Sequence, residues 1–211
     1  MQSVPHLIRS TFLLLCVFGV AACQIGEGLR DAPDAGVDGG ADGGIHPGAD
    51  GGDDGGDEPG EPPELEGILD AHNEAREAEG AGLPPLTWDP LLAAIAQDWA
   101  ERCESSNGLL LDHNPDRSNM YDGSVGENIA ASSGDTLSGP HAVALWMGEK
   151  PFYDHTTGAC SSEPCGHYTQ VVWRDTLRVG CASVLCEGLA YPTNVVCNYA
   201  PAGNVIGQRP Y

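Results

Sequence analysis

Beyond Glu64 the apolar residues recur at helical spacing, and only in the last third do they switch to alternation. Leu65, Ile68, Leu69, His72 and Arg76 fall on one stripe, which predicts a first helix; Gly80 and Gly82 mark its end. Asp89 followed by Pro90 reads as a cap and first position of a second helix, with Leu91, Leu92, Ile95, Ala96, Trp99 and Cys103 as its buried face. A third helix is expected from Ser138 through Ala142, Leu145, Trp146 and Glu149, stopped near Pro151. After Cys165, β-branched and aromatic residues predict strands over Tyr168 to Trp173, Val179 to Leu185 and Thr193 to Tyr199. Helices first and a strand-rich run later give an α+β domain.

The region before this domain reads differently. Residues 1–22 have the form of an export signal: His6 and Arg9, then the apolar run Phe12 to Phe18, then small residues. That run is too short to span a bilayer. Two processing outcomes fit its end. Val20-Ala21-Ala22-Cys23 resembles a bacterial lipobox, which would make Cys23 the lipidated first residue of the mature protein; ordinary cleavage would leave its thiol free. Gln24 resembles the sorting pattern of outer-membrane lipoproteins, so the expected location is the bacterial cell envelope or surface, with the acyl chains as the only membrane contact. From Cys23 to residue 63 glycine, proline and acidic residues dominate around a lone Arg30. This composition cannot bury enough surface to offset ordering entropy and predicts a disordered tether. Its Asp-Gly-Gly near-repeat lacks the register of a calcium loop and reads as a solvated spacer.

Charge narrows the partners. The domain, residues 64–211, holds seven basic residues against twenty acidic ones, a net charge of about −13, which argues against nucleic acid and anionic headgroups. A monomer is expected. Setting aside Cys16 and Cys23, six of the eight cysteines fall inside the domain: Cys103, Cys160, Cys165, Cys181, Cys186 and Cys197. In an exported chain they argue for three disulfides among fifteen possible pairings, and no CxxC pair favours a zinc site instead.

Gly166-His167-Tyr168-Thr169-Gln170-Val171-Val172-Trp173 and Val196-Cys197-Asn198-Tyr199-Ala200-Pro201-Ala202-Gly203-Asn204 together resemble the paired signatures of the CAP superfamily: cysteine-rich secretory proteins, antigen five and plant pathogenesis-related proteins. The resemblance covers about residues 64–211 and implies a three-layer α-β-α sandwich. It implies the pairing Cys103 with Cys186, Cys160 with Cys165, and Cys181 with Cys197. It also implies that the tail Gly207 to Tyr211 packs against the sheet. Finally, it implies a central groove holding a tetrad: His113 in Leu-Asp-His-Asn, Glu127 in Gly-Glu-Asn-Ile, Glu149 in Trp-Met-Gly-Glu-Lys and His167 in Gly-His-Tyr-Thr-Gln.

Such a tetrad has three uses. Neutral imidazoles bind Zn²⁺ or another divalent cation through nitrogen, with carboxylates accepting a proton or orienting the rings. Without metal the same groups form a pH-sensitive polar cluster. The third is structural, buried His and Glu satisfying one another and bracing the groove; a catalytic centre stands beside these. The expected function is a surface-anchored binding module for a lipid, a small amphipathic ligand or a protein partner. One alternative is a metal-dependent hydrolase, with His113 and His167 as ligands and Glu127 or Glu149 as general base. Another is a structural defence or adhesion domain. No residue is assigned a catalytic role: there is no HExxH helix and no GxSxG elbow, and every domain cysteine has a partner under the implied pairing. Trp88, Trp99, Trp146, Trp173 and His72 read as core, and His141 and His155 as surface, with His155 close enough in sequence to Glu149 to be a spare ligand.

Overall fold

The structure is a computed structural model that describes residues 60–161 and 163–211. The signal segment, Cys23 and the tether up to residue 59 lie outside the described residues. Glu61, which composition assigns to the tether, takes part in the folded domain. Its carboxylate accepts hydrogen bonds from the N–H groups of Gly67 and Leu69, both at 2.7 Å. It thereby caps α1 (Ile68–Ala78), where unpaired N–H groups favour a carboxylate.

Asp89 caps α2 (Pro90–Ala100): its Oδ1 accepts from Leu91 N at 2.9 Å and Leu92 N at 3.1 Å. Between α1 and α2 lies the short β1 (Thr87–Trp88). Then come β2 (Gly126–Ser132), α3 (Gly139–Met147), the small hairpin β3 (Tyr153–Asp154) and β4 (Ala159–Cys160), α4 (Gly166–Val171), β5 (Arg178–Leu185) and β6 (Thr193–Ala200). The main sheet runs in the order β1-β5-β6-β2, with β1 parallel to β5 and the other pairs antiparallel.

Alternation along the strands builds the layers. Ile129, Ala182 and Val196 pack with Ala96 and Ala100 of α2 on one face. Ala130, Val179, Cys181, Val195, Cys197 and Tyr199 face the other way, where they meet α1, α3 and α4 around Ile68, Trp146 and Tyr168. The result is an α-β-α sandwich with both sheet faces covered. Cys181 and Cys197 stand opposite each other on β5 and β6 and are bonded. Cys103, just after α2, is bonded to Cys186 at the end of β5, and Cys160 to Cys165 across the connection from β4 to α4.

Three expectations need correction. The run Tyr168 to Trp173 is not a strand: its first part forms α4, with Thr169 N donating to Cys165 O and Val172 N to Tyr168 O. Every residue from Tyr168 to Trp173 is buried, the polar Thr169 and Gln170 included, and a run buried at every position has no period to separate strand from helix. Glu149 decides for helix by accepting the first N–H groups of the turn. Leu91, assigned to the buried face of α2, is 51% exposed, because the helix presents a narrower stripe to the sheet than its apolar composition suggests. The third helix stops at Met147, and Glu149 stands beyond it at the start of a 3₁₀ turn (Lys150–Phe152). Trp99, Trp146 and Trp173 are buried, and Trp88, half-buried, packs against the core cluster that contains Trp146.

Candidate functional site

The edge strand β2 carries Glu127 and Asn128 on opposite faces. Glu127 points to the α2 side with its side chain fully buried. Its Oε1 accepts from His113 Nδ1 at 2.7 Å and from Asn114 N–H at 2.9 Å. Asn198, its neighbour across the ladder, has its amide turned so that nitrogen donates to Glu127 Oε2 at 3.3 Å and oxygen accepts from Ala96 N–H. On the other side, Glu149 Oε1 accepts from His167 Nδ1 at 2.6 Å, and Oε2 accepts from His167 N at 2.9 Å and Tyr168 N at 3.2 Å. Each pair fixes its imidazole in the same way. A carboxylate on Nδ1 places the proton there and leaves Nε2 as a lone-pair donor.

The carboxylates are withdrawn while the rings are open: the His113 and His167 side chains are 55% and 33% exposed, against 0% and 19% for their glutamates. A cavity of about 190 Å³ lies over the edge of β2, lined by His113, Glu127, Asn128, Gly166, His167 and Asn204. His113, Glu127 and His167 thus meet at one cavity, with Glu149 behind His167. The chemistry of this donor set fits a divalent cation only in part. Among the described residues no three or more His, Cys, Asp or Glu side chains gather as a metal-binding group, and the glutamate oxygens are spent on the rings and on N–H groups. Two imidazole nitrogens remain, one short of the usual protein contribution to an open zinc site.

His155 does not join the groove. Its Nε2 lies 3.2 Å from Tyr168 Oη and 3.4 Å from Tyr211 Oη, at a node where Glu79 Oε2 accepts from both phenols and pairs with Lys150. His141 is exposed on α3. His72 is fully buried, with Nδ1 donating to Ile68 O at 2.7 Å and Nε2 accepting from Tyr199 Oη at 2.8 Å. Burial, reinforced by the charge of Arg76 and opposed by the Ile68 bond, pushes its pKa down to about 4, so the ring is neutral at ordinary pH. Sequence reasoning missed Asn128. Its one signal is its place beside Glu127 on a strand that composition does not announce. Asn204 enters the sequence reading only as the last residue of the second signature, yet its Oδ1 accepts from Thr169 Oγ1 at 2.6 Å and its Nδ2 donates to Gly166 O at 2.8 Å, closing one end of the groove.

A family model described as CAP, the cysteine-rich secretory protein family, matches residues 69–199. The chain belongs to the CAP family. Among its relatives the CAP domain is 46% identical over 147 residues to pathogenesis-related protein 1B of Nicotiana tabacum, which covers 69% of this chain and 80% of that one. Pathogenesis-related protein 1 of Arabidopsis thaliana is 43% identical over 146 residues, 69% of this chain and 81% of its own. Two solved structures share the CAP architecture. The Schistosoma mansoni venom allergen-like protein 4 has a TM-score of 0.56 and 27% identity over 71% of this chain and 94% of that one. NaASP2, solved with Zn²⁺, has a TM-score of 0.55 and 27% identity over 72% and 87%. The secretory family and the three disulfides agree with an exported domain.

Proposed function

We propose that this CAP domain is an exported binding module whose groove offers His113 and His167 to a divalent cation, and through it to the polar end of a small amphipathic ligand or a protein partner. The observation that carries this reading is the pairing of each ring with a carboxylate less exposed than itself at 2.6 to 2.7 Å, which leaves both Nε2 atoms free at one cavity. Zinc in the NaASP2 structure and the domain's charge of about −13, which favours cations in its field, add support. A bound ion would act as a Lewis acid that polarises a ligand oxygen. His113 and His167 would hold it, and Glu127 and Glu149 would keep the rings in the ligating tautomer. The hydrolase alternative gains less support. A general base needs a carboxylate oxygen within reach of bound water, whereas both oxygens of each glutamate already accept hydrogen bonds.

Calorimetric titration of the full exported chain with zinc is expected to show one equivalent bound, lost in the His113→Ala, His167→Ala double variant. Absence of binding in the unsubstituted protein would remove the cation from the reading.

Anchoring belongs to the same proposal and rests on Val20-Ala21-Ala22-Cys23. Mass spectrometry of the mature protein is expected to find a diacylglyceryl group on Cys23, and Cys23→Ser should release the protein from membranes. A mature N-terminal peptide bearing an unmodified thiol would overturn anchoring and leave the groove reading intact.

A further inference from the structure

We propose that Asn128 is the positioning residue that sets the spacing between the two His–Glu pairs. The inference rests on the use of the groove proposed above. Each pair is closed within itself: His113 is held by Glu127 of β2, and His167 by Glu149 from the turn after α3. Because the pairs lie on opposite sides of β2, neither holds the other in place. What joins them is a side chain on β2 itself. Asn128, 1% exposed, sits next to Glu127, and its Nδ2 donates to the carbonyl of His167 at 3.1 Å and to Tyr199 Oη at 3.3 Å.

Both amide hydrogens are thereby used, and the rest of the chain of bonds follows without choice. Tyr199 Oη accepts from Asn128, so its own hydrogen goes to His72 Nε2 at 2.8 Å; His72 Nδ1 then donates to Ile68 O at 2.7 Å. The first turn of α4, β2, β6 and α1 are tied together at one buried point. The neutral His72 required by this order matches its burial. A zinc ion holds imidazole nitrogens at about 2.0 to 2.1 Å, so a displacement of α4 by about 1 Å is enough to spoil a two-nitrogen site.

The test uses the full chain, with zinc alone as probe, in Asn128→Ser and Tyr199→Phe. Serine is smaller and polar but cannot span the gap to the His167 carbonyl, whereas Tyr199→Phe leaves that bond intact. Asn128→Ser is expected to weaken zinc binding about 10-fold or more, in the range seen when outer-shell partners are removed. Tyr199→Phe should stay within about 3-fold of the unsubstituted protein, by the usual spread between a bond kept and a bond lost. Adding Asn128→Ser to His167→Ala should cost no further affinity, since a single histidine has no partner to be misaligned with. Equal losses in Asn128→Ser and Tyr199→Phe, or additive losses with His167→Ala, would reduce Asn128 to a general core residue and overturn the proposal.

Nitrogen-correlated NMR of the imidazole rings provides the readout that does not need metal. In Asn128→Ser the His167 ring signals should move while those of His113 hold. If the unsubstituted protein takes up no zinc but this selective shift is seen, the cation reading fails and the positioning role stands. If both rings are unmoved, the positioning role fails.

Discussion

Replacing Arg76 by methionine is expected to destabilise the domain by about 3 to 5 kcal/mol, read as a lower urea midpoint at unchanged slope. The side chain is 1% exposed and meets no carboxylate among its hydrogen bonds. Its Nε donates to Pro84 O at 2.9 Å, one terminal nitrogen to Val171 O and Trp173 O at 2.8 Å each, and the other to Thr176 O at 3.2 Å. Val171, Trp173 and Thr176 carry the chain from the end of α4 into β5, where carbonyls left over from the helix face inward. One planar cation satisfies them all and ties α1 to that connection. Burial lowers its pKa to about 10, which still leaves it charged at neutral pH. Methionine fills much of the space but removes four hydrogen bonds, and of their acceptors only Trp173 O keeps another partner among the described residues, Thr176 N at 3.3 Å. Lysine keeps the charge as a single point that cannot reach in three directions, so Arg76→Lys should recover less than half of the loss. A loss below about 1 kcal/mol for Arg76→Met would show that water or a shifted backbone serves these carbonyls equally well.

Acid should unfold the domain well above the pH at which its carboxylates alone would do so, through His72. In the unfolded chain this ring takes a proton near its ordinary 6.5, and in the folded one only at about 4. Between those values the unfolded state binds more protons, so stability falls as pH falls. The contribution is complete above 6.5 and gone by about 4. The difference corresponds to roughly 3 kcal/mol. Urea midpoints at pH 7.5, 5.5 and 4 should therefore converge between the unsubstituted protein and His72→Gln as pH drops, the carboxylate terms being common to both. Parallel curves would exclude His72 as the cause. The two predictions interact: the Arg76 charge is one of the causes that lower the His72 pKa, so Arg76→Met should soften the acid slope as well.

Legibility followed how local the determining forces are. Asp89-Pro90 announces α2 because a cap and the residues that need it are neighbours. Val179 to Leu185 and Thr193 to Tyr199 announce strands because their residue types suit a pleated surface. Gly126-Glu127-Asn128-Ile129-Ala130-Ala131-Ser132 announces nothing: apart from Ile129 these are poor strand formers, extended because β6 offers a seven-residue ladder and the first five residues are buried on both faces. At α4 the missing information lay at Glu149, whose carboxylate reaches across the sequence to the helix start. The tetrad was readable only through the contexts that resemble the CAP family, since fourteen and eighteen residues separate the partners within each pair and no period links them. Sequence supplied four polar groups without saying which are ligands. Geometry divides the labour, with nitrogens facing the groove and carboxylates turned back to hold them.

The sheet order also sets a schedule for making the molecule. Thr87 and Trp88 pair with Arg178 and Val179, and β2 pairs with β6, so the two inner strands of the sheet are the last to leave the ribosome. Until residue 200 or so has been delivered, the apolar stripes of α1, α2 and α3 have no sheet to lie on, and helices of 11, 11 and 9 residues are marginal without one. Cys103 meanwhile waits for Cys186. Pairing across such separations is slow to form, and an incomplete chain with bare apolar stripes is prone to aggregate. The same topology that closes the finished sandwich on both faces keeps the unfinished chain open during synthesis, a form suited to threading through an export channel.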